Sequence, residues 1–178
     1  EDDLKYTSSQ EQVFDNVKEK LEIFINSRLI MARLLGINED EIDSFGTIFC
    51  SRGETIECSS KTIFAIISRK YPTYYDANMY IQYQNSEHKL IHYSNRSDRN
   101  YKHSGDNNFQ DHLLHTINPN TYNLNDCKFS IFITGYNKTP LHRFKEFNPV
   151  ILLIDTENKI IYLIEFPLDN ISIGNNCL

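Results

Sequence analysis

With 178 residues, 40% of them hydrophobic, the chain can bury a core of its own without a metal or disulfide scaffold. No apolar run reaches the ~18–20 residues of a membrane-spanning helix, which excludes a helical anchor within this stretch. A net charge of -6 argues against a nucleic acid as the main partner.

That charge is unevenly placed. Residues 1–57 hold 13 acids and 6 bases, residues 58–148 hold 7 and 11, and residues 149–178 hold 4 and 1. The basic middle section also carries nine of the 11 tyrosines. Ile (22) and Asn (19) are both heavily used, as coding bias in an AT-rich genome produces, so the asparagines by themselves mark no site. The three sequons at Asn95, Asn137 and Asn170 carry no weight for the same reason. The chain opens at Glu1 without Met, which is compatible with upstream trimming, so cytoplasmic and secreted locations are both open.

In chain order, Ser8 with Glu11 forms a capping-box pattern. Val13, Phe14, Val17, Leu21, Phe24 and Ile25 follow at helical spacing, and Leu29, Met31 and Leu35 carry the pattern to Gly36. A helix over about 9–35 is expected, with Val17, Leu21 and Phe24 facing a sheet. Asn38 with Glu41 opens a second, short helix that stops before Gly46.

From Gly46 the pattern changes to strands. Thr47–Cys50 and Thr55–Cys58 flank a turn at 51–54 as a candidate hairpin. Thr62–Ser68 is a short apolar, β-branched run, expected as a central strand. Met79–Tyr83 and Lys89–Tyr93 form a second hairpin around Asn85-Ser86-Glu87. Residues 94–108 are read as a polar loop, Phe109–Ile117 as a short helix ending before Pro119, and Lys128–Thr134 as a strand. Val150–Ile154 and Ile160–Glu165 are apolar on nearly every residue, so this hairpin is expected to be central and covered on both faces. The expected fold is a single α+β domain over 1–178. Its helical layer (9–45) would pack on a mostly antiparallel, sheet-rich part (46–168), followed by a tail at 169–178.

Five of the six histidines fall between positions 88 and 115: His88, His92, His103, His112 and His115. On a helix, His112 and His115 would share a face, with His103 and Asp106 in the preceding loop and Asp111 alongside. A His/His/carboxylate set can hold zinc and leave a position open for water. No glutamate accompanies it as a general base, and no bound metal is expected as the first reading.

Three further patterns are incomplete. The order of strand, His103 loop, helix and strand is similar to a zinc-dependent nucleobase deaminase core. That chemistry needs His-x-Glu and Pro-Cys-x-x-Cys, where this chain has His103-Ser104-Gly105 and Pro140-Leu141-His142-Arg143. Asn148-Pro149-Val150 with Glu165-Phe166-Pro167 occupies the positions of a metal-dependent nuclease hairpin. Val150 stands where a carboxylate is needed, and one carboxylate cannot build a Mg²⁺ cage. Cys50 or Cys58 with a remote His and Asp155 would make a thiol nucleophile, yet nothing local activates either sulfur. A Cys50–Cys58 disulfide fits the hairpin, although free thiols are the expected state.

The function expected from the sequence is a non-catalytic binding module. It would take a protein partner on a Tyr/Asn/Arg-rich loop surface carried by Arg96, Arg99, Tyr101 and Lys102. The alternative is a nucleotide- or nucleic-acid-directed hydrolase centred on His103, Asp106, His112 and His115, with zinc as its cofactor.

Overall fold

The computed structural model describes residues 18, 22, 25, 28–51, 53–70, 73–109, 111–119, 127–137 and 149–165. The chain divides into two compact units, 1–42 and 43–178.

In the first unit, helices span Arg28–Leu35 and Glu39–Ile42. The first ends as its sequence predicts. Gly36 takes φ 69°, and the Ile37 amide donates to the Ala32 carbonyl at 3.0 Å, closing the helix C-terminus in a Schellman turn. The second starts on the expected capping box, where the Asn38 amide donates to Glu41 Oε2 at 3.0 Å. Val17, Leu21 and Phe24, on which the expected packing of the long helix rests, lie outside the described residues, as does the tail 169–178.

The second unit is built from strands. They are β1 (Gly46–Cys50), β2 (Thr62–Arg69), β3 (Thr73–Tyr83), β4 (His88–Ile91), β5 (Tyr101–His103), β6 (Asn107–Phe109), β7 (His112–Pro119), β8 (Cys127–Asn137), β9 (Val150–Asp155) and β10 (Ile160–Ile164). One sheet runs β1-β10-β9-β2-β7-β5, with β6 also on β7, and the other runs β4-β3-β8. Among the described residues, only the β1–β10 pairing is parallel.

The expectation of a helical layer on a sheet is therefore corrected: the protein is mostly β. The core face of the larger sheet is covered by the smaller sheet. Phe64, Ile66, Ile117 and Ile151 of the first pack with Tyr75, Ala77, Met79, Ile81, Tyr83, Ile91 and Ile133 of the second. On β3 the burial alternates from Tyr75 to Tyr83, so the odd residues form one wall of this core. Ala65, Ile67, Leu152 and Ile154, on the opposite face of the larger sheet, are also buried. That double burial explains why these runs show no alternation in sequence.

The expected central strand and the hairpin 150–165 are present, with β2 between β7 and β9, and β9 between β2 and β10. The hairpin of β3 and β4 is also found, turning through Ser86 at φ 63°. The expected hairpin at 47–58 is not. β1 pairs with β10, the stronger apolar run, and 55–58 remains outside any strand. The second correction concerns 109–117, where β7 replaces the expected helix. Leu113, Leu114, His115, Thr116 and Ile117 are all buried between β2 and the β5–β6 edge, and that pairing outweighs a weak helical pattern.

A buried carboxylate–histidine–carboxylate site

On a strand, residues three apart point to opposite faces, so His112 and His115 do not share one. The β2–β7 register places His115 opposite Ile66 and His112 opposite Arg69. His115 turns towards the smaller sheet with Ile117, and is completely buried. His88 stacks on Tyr80 with ring centroids 5.5 Å apart, and His92 makes an edge contact with Tyr93. Neither belongs to the site. Asp111 is exposed, and His142 lies outside the described residues.

What does converge is His103, Asp106 and His115, joined by Asp76 from β3. The segment between β5 and β6 is fixed on β7 by Ser104. Its amide donates to the Thr116 carbonyl at 2.9 Å, and its hydroxyl accepts the Thr116 amide at 2.9 Å. Gly105 then turns at φ 73°, a conformation that only glycine adopts freely, and Asp106 folds back beside His115. The Arg96 guanidinium lies against Gly105, where an added Cβ would meet Nη1 at 2.6 Å. Arg96 Nε donates to the Tyr93 carbonyl at 2.7 Å, so this side chain clasps the loop.

His103 has both ring nitrogens engaged. Nδ1 accepts the Gly105 amide at 2.9 Å, which leaves Nε2 to donate to the Ala77 carbonyl at 3.0 Å. The ring is thus a neutral Nε2–H tautomer. Burial, with His115 and Arg96 nearby, lowers its pKa to about 4 against the pull of the Ala77 bond. His115 lies 5.5 Å away, ring to ring. Its Nε2 is 2.9 Å from Asp106 Oδ1. Its Nδ1 is 3.4 Å from Asp76 Oδ1 and makes no hydrogen bond. Asp76 is largely buried, and desolvation raises its pKa against the opposing effect of His115. Asp106 is half-exposed and forms the outer side of the cluster.

Among the described residues, Asp76, Asp106 and His115 bring one potential ligand atom each within 4.8 Å of one another. Asp76 was not singled out by the sequence. Its only signal is an acid, depleted in strands, as the sole charge in the run Thr73–Tyr83.

The expected binding residues are mostly committed elsewhere. Tyr101 is buried in the core. Arg99 lies over the Tyr83 ring at 4.0 Å, and the Tyr83 hydroxyl donates to Asp98. Lys102 is exposed. Cys50, which is buried, and Cys58, which is exposed, are free thiols, and desolvation raises the pKa of each, so neither sulfur is activated. Val150 is fully buried and Glu165 exposed, which leaves no paired carboxylates on the nuclease pattern. Among the described residues no helix is long and apolar enough to cross a membrane. Comparison with protein families, with curated proteins and with solved structures finds no match.

Proposed function

We propose that this chain is a non-catalytic binding module with a protein partner. The observation that carries the reading is a group of exposed apolar side chains about β3 and β4. Tyr80 and Leu90 are cross-strand partners, and Tyr93 follows β4. Exposures of 38%, 46% and 57% leave two tyrosines and a leucine in contact with water. Tyrosine at such a place gives broad apolar contact with a polar tip and loses little entropy on binding. His88, whose Nδ1 is 2.7 Å from the Tyr80 hydroxyl, holds that ring in place. This reading puts the contact surface on β3 and β4 rather than on the loop residues Arg96, Arg99, Tyr101 and Lys102.

A protein is favoured over a nucleic acid because three of the four lysines and arginines at 88–102 are engaged within the protein, Lys89 with Glu87, Arg96 with the Tyr93 carbonyl and Arg99 over Tyr83, which leaves Lys102 as the exposed cation beside them. The hydrolase alternative is less well supported. His103 has no free nitrogen and His115 no exposed surface with which to reach a substrate.

Selection from a displayed peptide library tests the reading. Enriched peptides should bind the wild-type protein and lose at least tenfold in affinity to the triple variant Tyr80→Ser, Leu90→Ser, Tyr93→Ser. Circular dichroism should show that variant to be folded. Enrichment of no sequence, or binding unaffected by the triple change, would reject this surface.

A further inference from the structure

The Asp76–His115–Asp106 cluster has a feature that its own hydrogen bonds do not account for. A fully buried imidazole nitrogen, His115 Nδ1, faces a carboxylate oxygen and makes no hydrogen bond to it. Leaving such a nitrogen unsatisfied is costly, and native proteins seldom keep one without a use. The separation is informative. At 3.4 Å, Nδ1 and Asp76 Oδ1 are too far apart for a good hydrogen bond. Two ligands each ~2.1 Å from a tetrahedral zinc ion stand roughly 3.4 Å from one another. On the other side of the ring, Asp106 Oδ1 is 2.9 Å from Nε2 and accepts a hydrogen bond from its N–H. That bond fixes the tautomer in which Nδ1 carries a lone pair on the side of the ring nearer Asp76, with the carboxylate oxygen beside it at 3.4 Å rather than in a hydrogen bond. A carboxylate that holds the far side of an imidazole is how metal-ligating histidines are oriented and made more basic.

We infer that His115 Nδ1 and Asp76 hold a divalent transition-metal ion of the zinc class, with Asp106 as the positioning residue behind the imidazole. Water completes the coordination. His103 is not a ligand, because Gly105 and Ala77 already occupy both its nitrogens. The donor set of one imidazole and one carboxylate oxygen suits zinc better than magnesium, which prefers oxygen throughout. The site is independent of the surface around Tyr80 and Leu90, and neither reading requires the other.

Titration calorimetry with zinc chloride on the metal-stripped protein, with thiols alkylated, should give one site per chain. Asp76→Asn should abolish it, since the amide is nearly isosteric but a poor ligand, and zinc should no longer raise the melting temperature of that variant. Asp106→Asn should weaken binding by ~10–100-fold while leaving one site. Cobalt(II) added to the unalkylated protein should show the weak visible bands of nitrogen and oxygen ligands. The proposal is overturned if the wild type takes up no zinc, if Asp76→Asn binds as the wild type does, or if cobalt shows intense sulfur charge-transfer bands instead. Because circular dichroism shows whether each Asn variant is folded, loss of binding by a folded Asp76→Asn protein is the deciding result.

Discussion

Ser59 donates both its hydroxyl, at 2.6 Å, and its backbone amide, at 2.8 Å, to the carboxylate of Asp155, 96 residues away in sequence. The same carboxylate accepts the Glu157 amide and both the amide and the side chain of Asn158 across the β9–β10 turn. One buried aspartate thereby closes the hairpin and ties the segment before β2 to it. This is the residue that the sequence offered as an orienter for a thiol nucleophile, and its carboxylate is fully used in holding the fold.

Asp155 should make the protein acid-sensitive in a defined window. Burial alone would raise its pKa, but the bonds from Ser59 and Asn158 prevail and hold it at about 2. Its folded value lies below the ordinary carboxylate value of ~3.9, so the unfolded state binds the proton more readily. The stabilisation is complete above pH ~4 and is lost as pH falls towards 2, on the order of 2 kcal/mol in all. Denaturant melts at pH 5 and pH 2.5 should differ less in Asp155→Asn than in the wild type; equal differences would refute this assignment.

His103 predicts a second, higher window. Its folded pKa of about 4 lies below the ordinary histidine value of ~6.5, so again the unfolded state takes up the proton first. Stability should fall between pH ~6.5 and 4 by up to about 3 kcal/mol from this residue. Asp76 opposes the trend, because a carboxyl raised by desolvation makes the folded state the better proton acceptor as pH falls. An NMR titration should find the His103 ring unprotonated at pH 5.5, and a midpoint near 6.5 would contradict the two hydrogen bonds assigned to it.

The hairpin of β9 and β10 is the most legible part of the sequence, because Val150–Ile154 and Ile160–Ile164 are strongly apolar and β-branched, whereas the weaker run at 55–58 forms no strand and leaves β1 to pair with β10. The sequence also marks His103, Asp106 and His115, but around a helical face that β7 does not form. The sequence put His112 and His115 on one helical face, whereas β7 turns them apart and brings Asp76 in from another sheet. A run such as His112-Leu-Leu-His-Thr-Ile matches neither period cleanly, and only its burial between β2 and the β5–β6 edge decides the matter. No local signal reports a partner 39 positions away. The covering of one sheet by another was likewise hidden, since an apolar face does not say what lies on it.

Gly105→Ala should destabilise the protein and disturb the loop above His115. A side chain at φ 73° costs roughly 1–2 kcal/mol, and the new Cβ would press on the Arg96 guanidinium, 2.6 Å away. Arg96 can swing outwards, so combining Gly105→Ala with Arg96→Ala should restore only the steric part. Chemical denaturation of both variants measures this, and a wild-type midpoint for Gly105→Ala would mean that the turn has another conformation in solution.

The edge strand β1 carries the last prediction. Among the described residues β1 has one strand neighbour, β10, and its other edge is left open. Ile48 and Phe49 are exposed there at 44% and 46%. An apolar strand with free amides and carbonyls is a template on which another chain can pair, and proteins commonly block such edges with charge. Ile48→Lys would place a cation at the middle of this edge without entering the core, so its effect on folding free energy should stay within ~0.5 kcal/mol. Light scattering during concentration and slow heating should show association of the wild type and less of it in the lysine variant. Identical scattering of the two proteins would mean that the edge is covered and that Ile48 and Phe49 are not open to a second chain.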